Sequence, residues 1–192
     1  MDRSIQARFP IGKLPIATLE RLLRKNQIHD PRVIIGPGIG EDAAVIDIGG
    51  SRCLIAKTDP ITFAVDQIGW YAVHINANDI ATKGARPLWY LATLLLPEDL
   101  TTEALVEKIF HDTLEACRSI GVTLIGGHTE VTAGLSRPIV VGQMLGEIFL
   151  ADHHVRGLVI AGGNGVPDQH PIQAQVGDKQ SDAVTGDRSR RK

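Results

Sequence analysis

Apolar residues recur at helical spacing in three stretches of the chain and at strand spacing, or without a break, in most of what lies between. "LPIATLERLLRKN" (14–26) sets Leu19, Leu22 and Leu23 on one face with Arg21, Arg24 and Lys25 outside, which predicts a short amphipathic helix with a basic last turn. Residues 67–84 predict a second helix, stopped by Gly84 and Pro87, with Ile75, Ala77, Ile80 and Ala81 as core positions. "TTEALVEKIFHDTLEACRSIG" (101–121) is the clearest helix: Thr101 or Thr102 caps it and Gly121 ends it. Its inner stripe reads as Val106, Ile109, Phe110, Thr113, Leu114, Cys117 and Ile120.

The strand-like runs are of two kinds. "AAVIDI" and "RCLIAKTD" flank Gly49 and Gly50 and read as a hairpin, after a short apolar run that leads from "DPRVII" into a glycine loop. "LWYLATLLLP" (88–97) is almost unbroken, the pattern of a strand buried on both faces; "VTLIGG" and "RPIVVGQMLGEI" read as two more strands. Helices alternate with strands, but hairpins are mixed in, so an α+β domain with a mixed β-sheet packed with helices is expected rather than a doubly wound parallel one. From about Phe149 the pattern stops: no aromatic follows, and Gly, Asp, Gln and Arg dominate. We expect a domain over 1–148 and a low-pattern, disordered tail over 149–192, in which "GLVIAGG" makes at most one short strand, His153–His154 is non-functional and "RSRRK" is a solvated terminus.

Composition narrows the classes. At 192 residues the chain can hold one ordinary core but not two full domains. A net charge of -2 gives no reason to expect nucleic acid or a membrane surface as a general partner. Cys53 and Cys117 are far apart with no Cys-x-x-Cys pair, which points away from a disulfide framework and towards a reducing cytoplasm. Charges at Asp2, Arg3 and Arg8 speak against a signal peptide, and no apolar run reaches the length of a membrane span.

The candidate chemistry lies at the ends and inner faces of the expected elements. "GPGIGEDAAVI" (36–46) lacks the Gly-Lys-Ser/Thr of a Walker loop and the G-x-G-x-x-G of a dinucleotide fingerprint, and a strand follows it where both would need a helix. Carboxylates beside a phosphate repel it unless a cation intervenes, so Gly38, Gly40, Glu41 and Asp42 suit a Mg²⁺–phosphate complex; the alternative is a tight turn with exposed acids. In "KTDP", Asp59 ends a strand where chain meets loop; the alternative is a turn-initiating Asp before Pro60. In "NANDIATKGARP", Asp79 shares a helix face with Asn76, one turn earlier, among apolar neighbours. Such a carboxylate costs several kcal/mol unless paired, so it serves a ligand or is satisfied by backbone or Asn partners. "LIGGHTEVT" (124–132) offers Gly126 and Gly127 for close approach of backbone to a ligand, followed by His128 and Glu130; no His or Cys partner at zinc spacing accompanies His128, which reads as a hydrogen-bonding group. Together Asp42, Asp59 and Asp79 could serve Mg²⁺ bound to ATP, which wants one or two carboxylates per ion plus phosphate oxygens.

"GIGEDAAVI", "KTDP", "IGWYAVHINANDIATKGARP" and "LIGGHTE", in that order and spacing, resemble the amino-terminal domain of the AIR synthase (PurM-like) superfamily over roughly residues 12–148. The superfamily includes aminoimidazole ribonucleotide synthase, thiamine-monophosphate kinase, selenophosphate synthetase and the hydrogenase maturation factor HypE. "GKLPIATLERLLRK" and "TDPITFA" resemble the HypE-like, AIR-synthase-related branch. The resemblance implies a PurM-like domain that pairs as a homodimer with a β-barrel-like core, and ATP with Mg²⁺ as ligand, the phosphates near the glycine loop. It sets Asp42, Asp59 and Asp79 on the family's metal- and ATP-binding acids. It implies chemistry in which ATP phosphorylates or dehydrates a substrate oxygen, which in HypE yields a cyanide group, and hydrogenase maturation proteins as partners. A thiamine-monophosphate kinase relative and a non-catalytic nucleotide-binding or dimerisation module are the other readings.

Three departures from the family pattern stand out. Lys83 occupies a position where relatives usually carry Met; it either contacts a phosphate or is simply exposed, and exposure is expected. His128 stands where many members have an acid, although the selenophosphate branch also shows "GGHT". The second α/β domain of the family, with the carboxy-terminal cysteine of HypE, has no counterpart after "GQMLGE", which suggests truncation or a frameshift near codon 148.

Overall fold

A computed structural model describes residues 8–149. The chain runs through α1 (Ile16–Leu23), β1 (Val33–Ile35), β2 (Ala44–Gly49), β3 (Arg52–Ile61), α2 (Ile68–Thr82), β4 (Arg86–Pro97), α3 (Glu103–Ser119), β5 (Thr123–Thr132) and β6 (Ile139–Phe149). The expectations for the tail beyond Phe149, including the "GLVIAGG" strand, His153–His154 and the basic end, lie outside the described residues. No helix among the described residues is long and apolar enough to cross a membrane.

The six strands form one sheet in the order β1-β2-β3-β6-β4-β5. The Gly49–Gly50 hairpin forms as its turn residues require, with Ala44 opposite Ala56 and Ile46 opposite Leu54. β4 and β5 run parallel, joined by α3 as a crossover, while β3–β6 and β4–β6 are antiparallel. The mixed α+β sheet expected from the sequence is the observed one.

One face of the sheet carries both long helices. α2 packs on β3 and β6 and against α3. The layer between helices and sheet is built from Val45, Ile55, Tyr90, Val140 and Met144 on the strands and Ile68, Val73, Ile80 and Ile109 on the helices. At the helix crossing, a Cβ on Gly69 would collide with Thr113 Oγ1 and stand 2.7 Å from the Ile109 carbonyl oxygen, so only glycine permits this approach.

Several expectations are corrected. β4 is not buried on both faces: Tyr90, Ala92, Leu94 and Leu96 are buried, but Trp89, Leu91, Thr93 and Leu95 are only half-buried, because no described element covers the second face. On α3, Phe110 is exposed and Ala116 is buried, since the helix presents Ile109, Thr113, Ala116 and Cys117 to α2 and the sheet. On α2, Ile75 and Ala81 face outward while Ala77 and Ile80 are buried. α1 is a helix as expected but buries none of its residues.

Candidate functional site

The glycine loop leaves β1 and enters β2, tightened by the Glu41 amide donating to the Gly38 carbonyl at 3.3 Å. Because Ala44 pairs with Ala56, Asp42 leaves the sheet beside the stretch of β3 that carries Lys57, Thr58 and Asp59. Asp42 is exposed and lines a shallow concavity of about 210 Å³ with Glu41, Ala44, Ala56 and Thr58.

Side chains alternate along β3, so Lys57 and Asp59 share the face of the buried Cys53 and Ile55, the face that α2 covers. There Lys57 Nζ lies 2.8 Å from Asp79 Oδ2 and 3.8 Å from Asp59 Oδ2. Lys57 is only 11% exposed at its side chain, Asp79 21%. Asn76, fully buried one turn before Asp79, ties the helix to the strand: its Nδ2 donates to the Ala72 carbonyl at 2.8 Å and to the Asp59 carbonyl at 3.3 Å. Its Oδ1 and the Tyr90 hydroxyl are buried without a partner among the described residues. Burial pushes the Tyr90 hydroxyl pKa well above its ordinary value.

A second bridge closes the arrangement. Lys83, just past the end of α2, donates through Nζ to Glu41 Oε2 at 2.6 Å, with side chains 12% and 8% exposed. Lys83 is therefore not exposed, contrary to expectation. The sequence reading missed Lys57 as well. Its signal is the period-two alternation of Cys53, Ile55, Lys57 and Asp59, which puts an ammonium on the helix-facing side among apolar residues.

His128 and Glu130 stand elsewhere. β6 and β4 separate β3 from β5, so at about 4.8 Å per strand this pair lies roughly 14 Å from the Asp59 strand. On the exposed edge strand, His128 Nε2 is 2.9 Å from Glu130 Oε2, and Thr132 Oγ1 donates to Glu130 Oε1 at 2.8 Å. The hydrogen bond to His128, then that from Thr132, holds the Glu130 carboxyl below its ordinary value. Gly127 is packed so tightly on β4 that a Cβ there would run into the Ala92 carbonyl oxygen. Its glycine thus serves strand packing. Gly126 and Gly127 also line an apolar cleft of about 400 Å³ between β5 and α3, with Phe110, Ile125 and His128.

The structure thus brings Glu41, Asp59, Asn76 and Asp79 together through two lysines, sets Gly38, Gly40 and Asp42 on the adjoining loop, and leaves Gly126, Gly127, His128 and Glu130 on the far edge. No three carboxylate, imidazole or thiol groups assemble into a metal cage among the described residues. Mg²⁺ does not need one: it retains water and takes one or two carboxylates plus phosphate oxygens. The pair Asp59 and Asp79, converging on one cation, fits that requirement.

Comparison with known proteins bears on the family and the fold. The sequence model of the family described as AIR synthase related protein, N-terminal domain, matches residues 40–148. Selenide, water dikinase of Haemophilus ducreyi is 34% identical over 103 residues, 52% of this chain and 30% of that protein. Among solved structures, the protein tt0281 from Thermus thermophilus is 26% identical with a TM-score of 0.56, over 70% of this chain and 43% of that one. AaThiL complexed with AMPPCP and TMP is 23% identical with a TM-score of 0.54, over 70% and 41% of the two chains, a likeness of fold. The chain spans about a third of the length of the curated relatives it matches. With more than half its residues matched, this chain belongs to the AIR synthase-related family, through that family's N-terminal domain.

Proposed function

We propose that the chain is the MgATP-binding part of an ATP-dependent enzyme of this family, with residues 1–148 as the nucleotide-binding domain. The observation that carries the reading is the convergence of three acid-bearing segments, the glycine loop, the end of β3 and the inner face of α2, through Lys57 and Lys83. Asp59 and Asp79 would hold the metal, with Asp42 from the loop, and the backbone around Gly38 and Gly40 would receive phosphate. Mg²⁺, when bound, neutralises phosphate charge and polarises the terminal phosphoryl group. The chain's own part is positional: Asn76 clamps the Asp59 backbone to α2, and the largely buried lysines offer ammonium donors to oxygen ligands. His128 and Glu130 would contribute only from the exposed edge.

The finer assignment to a HypE-like, hydrogenase-maturation branch, with partner proteins of that pathway, is supported by "GKLPIATLERLLRK" and "TDPITFA" alone. Two buried free cysteines favour a reducing, cytoplasmic setting. The half-buried apolar residues Leu91, Leu95, Val141 and Leu145 on the uncovered sheet face support homodimer pairing. A nucleotide-binding or dimerisation module without turnover is the second reading, which turnover of ATP by the chain would exclude. The thiamine-monophosphate kinase reading has only likeness of fold behind it.

Calorimetric titration of the 192-residue chain with ATP, with and without Mg²⁺, tests the proposal. Mg²⁺-dependent binding is expected, weakened at least about tenfold by Asp79→Ala, since loss of even a supporting group around a metal costs that much. Absence of binding under both conditions overturns it. Unchanged binding by Asp79→Ala removes Asp79 from the site.

A further inference from the structure

We infer that Lys57 and Lys83 are resident counter-ions that make the acidic cluster accept a divalent cation only together with a polyphosphate, and reject the free metal ion. The inference deepens the nucleotide reading above and rests on it.

Lys57 Nζ occupies the point where Asp59 and Asp79 converge, 3.8 and 2.8 Å from their oxygens. A free divalent cation seeking those oxygens must come within a few ångströms of an ammonium that is already there. Lys57 is nearly out of water, so bulk ions screen the repulsion little. Lys83 repeats the device at Glu41, where both side chains are nearly buried. The free metal therefore meets two positive charges in place.

A free polyphosphate fares no better, because the carboxylates of Glu41, Asp59 and Asp79 already hold the two ammoniums and repel an anion. The metal–polyphosphate complex resolves both conflicts. A lysine ammonium is a point charge with three donors on a flexible stem, so it can turn from carboxylate to phosphate oxygen, where an arginine fork would resist. With the lysines turned, the carboxylates are released to the metal.

The probe is Mn²⁺, whose free aqua ion is counted by electron paramagnetic resonance, added to the full chain with or without AMPPCP; Mn²⁺ held with AMPPCP is counted on the protein only where it is retained with the chain on a spin filter and exceeds a protein-free AMPPCP blank. Wild type is expected to take up Mn²⁺ weakly alone and at least about tenfold more tightly with AMPPCP. Lys57→Met and Lys83→Met are expected to bind Mn²⁺ alone at least about tenfold more tightly than wild type, while Lys57→Arg does not. Circular dichroism checks that each variant folds; if Lys57→Met does not, Lys83→Met and the wild-type titration decide. Tight uptake of Mn²⁺ alone by wild type overturns the inference, as do folded variants with no gain. If the variants gain Mn²⁺ but AMPPCP adds nothing to any chain, exclusion of free metal by the lysines stands and the nucleotide reading falls.

Discussion

Asp79 sits on an otherwise apolar helix face because Lys57 meets it at 2.8 Å, and Lys57 tolerates its own burial because Asp59 stands within 3.8 Å on the other side. Sequence inspection identified the carboxylate and the need for a partner, but offered a metal or a neutral neighbour; the ammonium came from another element, twenty-two positions away in the chain. The cysteines show burial acting on a single group. Burial pushes the Cys117 thiol up from 9.0 to about 11, and burial followed by the nearby Asp47 carboxylate raises that of Cys53. At pH 8 about one thousandth of Cys117 is then thiolate. Both thiols should resist a disulfide reagent in the folded protein and react fully in denaturant, which a colorimetric thiol assay reads directly. The sign of the linkage follows: the unfolded chain loses the Cys117 proton near pH 9 and the folded one near 11, so stability from this group is intact below pH 9 and declines between 9 and 11. Thermal melts across that interval should show the decline, and a Cys117→Ala protein should show less of it.

At the scale of elements, α3 was the most legible. Thr102 accepts from the Leu105 amide at 3.2 Å and caps the helix, while Thr101 instead donates to the Pro97 carbonyl. Thr102→Ala should cost about 1 kcal/mol and lower the melting temperature by roughly 3 °C, and calorimetry would measure it. Helix α2 was less legible because it uses two faces, one on the sheet and one on α3. A helix that is apolar on more than one side gives no single stripe from which to pick the core face. β4 misled in a related way. A near-continuous apolar run is equally the pattern of a strand with a second covering layer and of a strand whose other face awaits one.

For the whole molecule, stability turns on the uncovered side of the sheet and the exposed edge strand β5. Ile125 and Val131 on β5 are more than half exposed, alongside the half-buried Leu91, Leu95, Val141 and Leu145 on the open face. Burial of such a surface against a second copy would remove both an apolar face and an unpaired edge from water. Sedimentation equilibrium at micromolar concentrations should find a dimer, and Leu95→Glu should shift it towards monomer. A wild-type chain that sediments as a monomer throughout would rule out the pairing.

The amino-acid order by itself determined the α+β class, the Gly49–Gly50 hairpin, the existence of the helices, five of the six strands in outline and the segments that bear chemistry. These follow from spacing of apolar groups and from turn residues, which act over a few neighbouring positions. Tertiary structure decided which sheet face is covered, that Lys83 turns inward to Glu41, that Lys57 joins Asp59 to Asp79, and that His128 and Glu130 lie three strands from them. Each of these depends on strand order and helix docking, which bring together residues tens of positions apart through contacts that no local pattern encodes.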